Sequence, residues 1–389
     1  MVIKLMKSTF YNENETKKKL CDFIINSKQL SMGEKCLEFE KRFSEYQRRK
    51  YSVFFNSGSS ANFALINALV NLRLIKSGDN VGFSALTWAT NVMPIMQLNL
   101  NPIPLDISLD HLNVSSEILI KKLRESNLNA LFITNLLGFS GDLDKIKNIC
   151  DDKNIILLED NCESLGSELN NKKLGNHGFA STFSFFVGHH LSTIEGGMVC
   201  TDDEELADML KMVRAHGWDR DLSDIKKDKL RKENNIDDFY SRYSFYVTAF
   251  NLRPTEIQAF IGLEQLKYID EMNKTRNSNM IKFENAMGNN PSFKRLNLAH
   301  MNFVSNFAYP LIFHDKKTFE IYKQRFQEKG VEIRPIVGGS MVEQPFFKKY
   351  HSINSACDNA KTVHQQSFYF PNNPELSNEE IEIICNLLK

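Results

Sequence analysis

Two adjacent histidines, His189 and His190, sit in a polar turn inside Ser181–Cys200 (STFSFFVGHHLSTIEGGMVC), with Ser184 upstream and Glu195 downstream. An imidazole with its ordinary pKa of about 6.5 takes and returns a proton near neutrality. Loops that follow strands of α/β sheets are where such chemistry collects, so the turn is a candidate for general acid/base work. A second candidate is Asp160, which ends the apolar run Ile155–Glu159. A carboxylate at the carboxyl end of a buried strand lies where α/β enzymes hold ligands; an aspartate there also serves as a helix N-cap. A third is Ser57-Gly58-Ser59-Ser60-Ala61-Asn62, between the strand-like YSVFFN and an apolar helix. Backbone N–H groups and hydroxyls at a helix start can surround a phosphate, although the same residues also make an ordinary turn and cap.

The elements that must carry these residues follow from the hydrophobic pattern. Short apolar runs at 51–56, 80–83, 102–105, 130–134, 155–159 and 182–186 read as strands. They alternate with helical patterns at 63–72, 115–125, 143–152 and 203–216. Strands alternating with helices imply a mostly parallel sheet covered on both faces. The pattern then changes to a long helix from Glu256 to about Met287, a strand Phe303–Phe313, a helix Lys317–Lys329, a strand Val331–Pro335 and a terminal helix Asn378–Leu388. We therefore expect an α/β large domain over 1–255, opened by a polar helical segment, and a smaller α+β domain over 256–389. The charged run Lys226–Lys232 reads as a solvated loop. Arg334, just before the flexible Gly338-Gly339, either reaches a phosphate or lies on the surface.

Bulk properties exclude several classes. The 389 residues carry 48 Lys+Arg and 48 Asp+Glu, a formal net charge of zero, with no basic stripe for nucleic acid. No apolar run approaches the ~18 residues of a membrane span, and the N-terminus lacks the apolar core of a signal peptide. Seven scattered cysteines without CxxC spacing read as reduced thiols of a cytoplasmic protein, with no metal site among them. Residues 201–356 contain no cysteine, which rejects an iron–sulfur cluster there.

Taken together, four motifs resemble the DegT/DnrJ/EryC1/StrS aminotransferase family. These are Ser57-Gly58-Ser59-Ser60-Ala61; Glu159-Asp160-Asn161-Cys162-Glu163-Ser164-Leu165-Gly166; Ser184-Phe185-Phe186 with Glu195-Gly196-Gly197; and Phe250-Asn251-Leu252-Arg253. The resemblance covers roughly Leu30 to the end. It implies the pyridoxal-phosphate-dependent, aspartate-aminotransferase-like fold (fold type I) and a homodimer. It also assigns roles. Gly58, Ser59 and Ser184 would contact the cofactor phosphate, Asp160 the pyridinium nitrogen and Trp88 the ring face. Glu163 falls within the same cofactor motif. Asn251 would reach the cofactor phosphate of the partner subunit, and His216, Arg253 and Arg334 would lie toward the nucleotide sugar. Ser31-Met32-Gly33 either caps a surface helix or lies near that sugar.

One departure carries the most information. The family's cofactor-binding lysine is replaced by His189, and no lysine lies between Lys173 and Lys211. Histidine there resembles the branch of nucleotide-sugar 3-dehydratases acting on GDP-linked 4-keto-6-deoxy sugars. An imidazole cannot hold the aldehyde covalently but can still move a proton at the cofactor's benzylic carbon. The resemblance thus implies pyridoxal 5'-phosphate and its pyridoxamine form as cofactors and L-glutamate as amino donor. It implies a 3-deoxy-4-keto sugar (hexose or heptose) and ammonia as products, in dideoxysugar synthesis for surface polysaccharide. Two alternatives stay open: a sugar aminotransferase that tolerates the substitution, and a cofactor-binding paralogue without turnover.

Overall fold

The computed structural model describes residues 2–351 and 356–389. A seven-stranded sheet organises the first two thirds of the chain. Its strands are β1 (Tyr51–Phe55), β2 (Asn80–Ser84), β3 (Asn101–Leu105), β4 (Ala130–Thr134), β5 (Ile156–Asp160), β6 (Ala180–Ser184) and β7 (Gly197–Thr201). Their order is β1-β7-β6-β5-β4-β2-β3. β7 alone runs against the direction of the other six. All five residues of β4, β6 and β7 are buried, because helices cover both faces and leave no polar side to alternate toward.

The helix Gly58–Asn71 packs across β1, β6 and β7 through Ala61, Ala64, Leu65, Ala68 and Leu69. It starts where Ser57 Oγ accepts the Ser60 N–H at 3.0 Å. On the opposite face, Phe39, Phe43, Phe54, Phe183 and Phe185 form an aromatic cluster.

The C-terminal part builds a second, three-stranded antiparallel sheet from β8 (Ala308–Ile312), β9 (Arg334–Pro335) and β10 (Ser367–Pro371), with β10 central. Its core of Phe283, Phe313, Phe326, Phe368 and Phe370 also takes in Ile3 and Leu5 from the other end of the chain. Ile3 bridges Val331, with its N–H on Gly330 O at 2.8 Å. This places the N-terminal residues beside the site described below.

Several expected elements differ, and the strand expected over Val331–Pro335 is only Arg334–Pro335. The helix from Glu256 is two, Glu256–Leu266 and Ile269–Met287. The break has neither Gly nor Pro. It lies where the Tyr268 ring turns onto Tyr11, 5.6 Å away. The strand expected over 303–313 is interrupted because the main chain of fully buried Ser305 meets side chains instead of a ladder, its N–H donating to Ser167 Oγ at 2.9 Å and its O facing His190 Nε2 at 3.0 Å. The run 226–232 is solvated, with no buried residue, but is helical rather than a loop, within Asp224–Glu233. Alternating lysines and acids at helical spacing suit such a surface helix. Among the described residues, no helix is long and apolar enough to cross a membrane.

Candidate active site

The carboxyl ends of β1, β2, β4, β5 and β6 open onto one cavity of about 450 Å³. Its wall combines residues just past those ends with Leu5, Met6, Phe307, Arg334, Val337 and Tyr369 from the C-terminal side. Gly58 and Ser59, in the first turn of a 14-residue helix, present its positive end to the cavity beside Ser184. A Cβ added at Gly58 would stand 2.6 Å from Ser184 Cβ. The close approach of loop and strand therefore requires glycine. Gly58→Ala is expected to push these walls apart and weaken cofactor binding about tenfold or more, read by absorbance titration.

Asp160, 3% exposed, ends β5 and lines the cavity. Its Oδ2 accepts Asn62 Nδ2 at 3.0 Å and Asn91 Nδ2 at 2.7 Å, and its Oδ1 accepts the Cys162 N–H at 2.8 Å. Asn91 is itself held by Thr87 Oγ1 at 2.9 Å. Neutral donors thus aim the carboxylate, and no described residue pairs it with a positive charge. A buried carboxylate without a cation is costly; a ligand bearing a protonated ring nitrogen would supply one. With the glycine cradle beneath and half-exposed Trp88 on the wall, these residues fit a planar, cationic, phosphorylated cofactor. The neighbouring Glu159 instead braces the backbone, accepting the N–H groups of Gly175, His177 and Gly178 at 2.7–2.8 Å. His177 is tied down there, with Nδ1 3.2 Å from Asp144.

Glu163 also lines the cavity. Burial pushes its carboxyl up to about 8, with the Leu137 N–H opposing and the Asp160 charge adding to the rise. Because the folded value lies above the unfolded one of about 4.5, ionising this group opposes folding, so stability drains away as pH rises from about 4.5 toward about 8. Glu163→Gln is expected to flatten that slope in thermal melts of cofactor-free protein.

The histidine turn closes a hairpin between β6 and β7. The ladder continues past the strands through Phe185 N–H to Gly196 O at 2.9 Å and Val187 N–H to Ile194 O at 3.1 Å. Ile194 has φ +71°, a left-handed conformation unusual for a β-branched residue, which marks backbone strain at the turn. His189 lines the cavity, stacked on Phe307 with centroids 5.3 Å apart and rings 26° from parallel. Its buried Nδ1 has no hydrogen-bond partner. His190 faces away from the cavity chemistry: it is 2% exposed and its ring Nε2 meets Ser305 O at 3.0 Å.

The expectation of an ordinary imidazole near 6.5 does not hold. Burial, with the Arg276 charge contributing, brings His189 down to about 4. The free side chain is therefore neutral at neutral pH and able to accept a proton.

Of the residues expected at the site, Gly58, Ser59, Trp88, Asp160, Glu163, Ser184, His189 and Arg334 line the cavity. Arg334 also reaches Glu332 Oε1 through Nε at 3.0 Å and Nη2 at 2.6 Å. Asn251, His216 and Arg253 do not line it within one chain. His216 and Arg253 meet at Trp218, whose ring lies 4.8 Å from His216 at a tilt of 48° and under Arg220 and Arg253, while Asn251 bridges Ala215. Gly33 instead caps against Glu256 Oε1 at 2.9 Å. Sequence reasoning missed the Asn62 and Asn91 clamp, the Phe307 platform and the N-terminal Leu5 and Met6. The only available signal was an asparagine in an apolar helix, Asn62, four residues after Gly58 of the phosphate-type turn.

A sequence profile described as the DegT/DnrJ/EryC1/StrS aminotransferase family matches residues 12–389. The chain is 35% identical over 374 residues to GDP-4-keto-6-deoxy-D-mannose 3-dehydratase of Yersinia pseudotuberculosis, covering 94% of this chain and 93% of that one. Among solved structures it is similar to GDP-4-keto-6-deoxymannose-3-dehydratase with a trapped PLP–glutamate geminal diamine: TM-score 0.89, 30% identity, all of both chains covered. A mutant of that enzyme with bound GDP-perosamine superimposes with a TM-score of 0.88 at 30% identity, again over the whole of both chains.

Proposed function

Because the chain belongs to the DegT/DnrJ/EryC1/StrS aminotransferase family, we propose that it removes the C3 hydroxyl of a GDP-linked 4-keto-6-deoxy sugar, with L-glutamate as amino donor, giving a 3-deoxy-4-keto sugar and ammonia. The observation that carries this reading is His189, alone in the lysine position and standing on the cavity wall. When bound, pyridoxal 5'-phosphate and its pyridoxamine form supply an electron sink and an amine carrier. Gly58, Ser59 and Ser184 would hold the phosphate, Asp160 the ring nitrogen and Trp88 the ring face. Glu163, protonated through burial, would donate a hydrogen bond to the ring's polar edge. His189 would take a proton at the cofactor's C4′ carbon and return it to the departing C3 oxygen. The reaction belongs to dideoxysugar synthesis for surface polysaccharide.

The test is incubation with pyridoxal 5'-phosphate, glutamate and a GDP-4-keto-6-deoxyhexose, with CDP-linked and heptose analogues in parallel. Ammonia release with loss of the C3 oxygen is expected. A stable 4-amino sugar would identify an aminotransferase instead, and failure to take up pyridoxamine phosphate would identify a paralogue without turnover.

The same reading includes a homodimer whose subunits complete each other's sites through Asn251, His216 and Arg253. In support, Phe239, Tyr240, Tyr243, Phe245 and Phe250 leave an uncovered aromatic face on that segment. Mixing inactive His189 and Asn251 variants should restore turnover by forming mixed dimers. A monomer in sedimentation, with no recovery on mixing, would remove this part of the proposal.

A further inference from the structure

We propose that Arg276 is a positioning residue for His189: its guanidinium pins the main chain of the histidine turn from below, and so sets where the imidazole stands. This rests on His189 being the proton carrier.

Arg276 lies on the helix Ile269–Met287, 87 residues after His189 in sequence. It is 4% exposed. Nη2 points to His189 O and Nη1 to His190 O, both at 3.5 Å, and buried Nε has no partner. No described carboxylate pairs with it, and the charge of Glu375 reaches it only through space. A buried guanidinium without a counter-ion is expensive to keep. Here the carbonyl dipoles of the turn are what it has for compensation.

The same helix face grips the turn a second time. Asn273, one helical turn earlier, accepts Ser305 Oγ at 2.8 Å, and Ser305 O meets the His190 ring at 3.0 Å. Two residues beyond Ser305, Phe307 stacks on His189. Arg276 is itself fixed, its carbonyl accepting Asn372 Nδ2 at 2.9 Å. The helix thus holds the main chain on one side of the imidazole and the platform on its other side. The cavity does not include Arg276, so its influence on the reaction passes through His189.

The experiment follows the glutamate half-reaction in single turnover by the change in cofactor absorbance, using protonated and α-deuterated glutamate. Arg276→Gln is expected to slow this step about 100-fold, as expected for a misplacement near 1 Å. It should raise the deuterium isotope effect while leaving cofactor affinity within about twofold, a margin worth well under 1 kcal/mol. Arg276→Lys, which keeps the charge but cannot span two carbonyls, should fall between wild type and Arg276→Gln. If Arg276→Gln does not fold, a wild-type rate and isotope effect in Arg276→Lys overturn the proposal. So does a loss in Arg276→Gln that appears wholly in cofactor affinity or melting temperature with an unchanged isotope effect. The functional reading fails separately, if the wild type leaves nitrogen on the sugar, or if His189→Asn performs the half-reaction at full rate.

Discussion

His189→Asn is expected to lower turnover about 100- to 10,000-fold, the usual contribution of a positioned acid/base, while the protein still takes up pyridoxal phosphate. Uptake should persist because the proposed grip on the cofactor, from Gly58, Ser59, Ser184, Asp160 and Trp88, does not involve residue 189. His189→Lys should behave differently. It is expected to attach the cofactor covalently and shift product toward a sugar that retains nitrogen, identified by mass spectrometry. The pH profile supplies a third check. With its imidazole held near 4 by burial, His189 is uncharged over the whole neutral range. The acid limb of kcat/KM assigned to this group should fall near pH 4 rather than 6.5, and should vanish in His189→Asn.

Arg214→Met is expected to cost about 3–5 kcal/mol of stability, the penalty for stripping one partner from a buried ion pair. Arg214 is fully buried at the end of the helix Glu204–Arg214. It pairs with Glu40 and with Asp221 Oδ2 at 2.8 Å, and donates to Phe54 O at 3.1 Å. Glu40, 8% exposed, also accepts the Phe54 N–H at 2.8 Å. Without the guanidinium that carboxylate stays buried and uncompensated. Adding Glu40→Gln to Arg214→Met should therefore recover part of the loss in chemical denaturation. The backbone of Arg214 also anchors the segment carrying Asn251, through Leu252 N–H to Arg214 O at 2.9 Å. The single variant should disturb that loop as well as the sheet.

What could be read in advance depended on how local the cause was. Ala130–Thr134 and Ile156–Asp160 were legible as strands because burial on both faces makes them continuous apolar runs. Asp160 was legible as a cavity residue because it ends such a run, whereas Ser184, inside the expected strand 182–186, was singled out only by the resemblance of its motif. The aspartate's clamp was not, since Asn62 and Asn91 come from separate helical segments and meet only when the sheet assembles. Arg276 was invisible for the same reason: nothing in its neighbours marks a residue that folds under a turn 87 positions earlier. The acidity of His189 was misjudged because it comes from burial and from the charge of Arg276, remote in sequence though close in space, neither of which its flanking residues state. The broken helix at Lys267-Tyr268 kept its apolar period across the break, so only packing on Tyr11 betrays it.

The hairpin that joins β6 to β7 bears on how such chemistry could diverge. Five paired residues on each strand, Ala180–Ser184 against Gly197–Thr201, keep register whatever stands at the tip. If His189→Lys shifts the product as expected, neighbouring activities on this framework differ by one amino acid at the tip of a hairpin whose register does not depend on it.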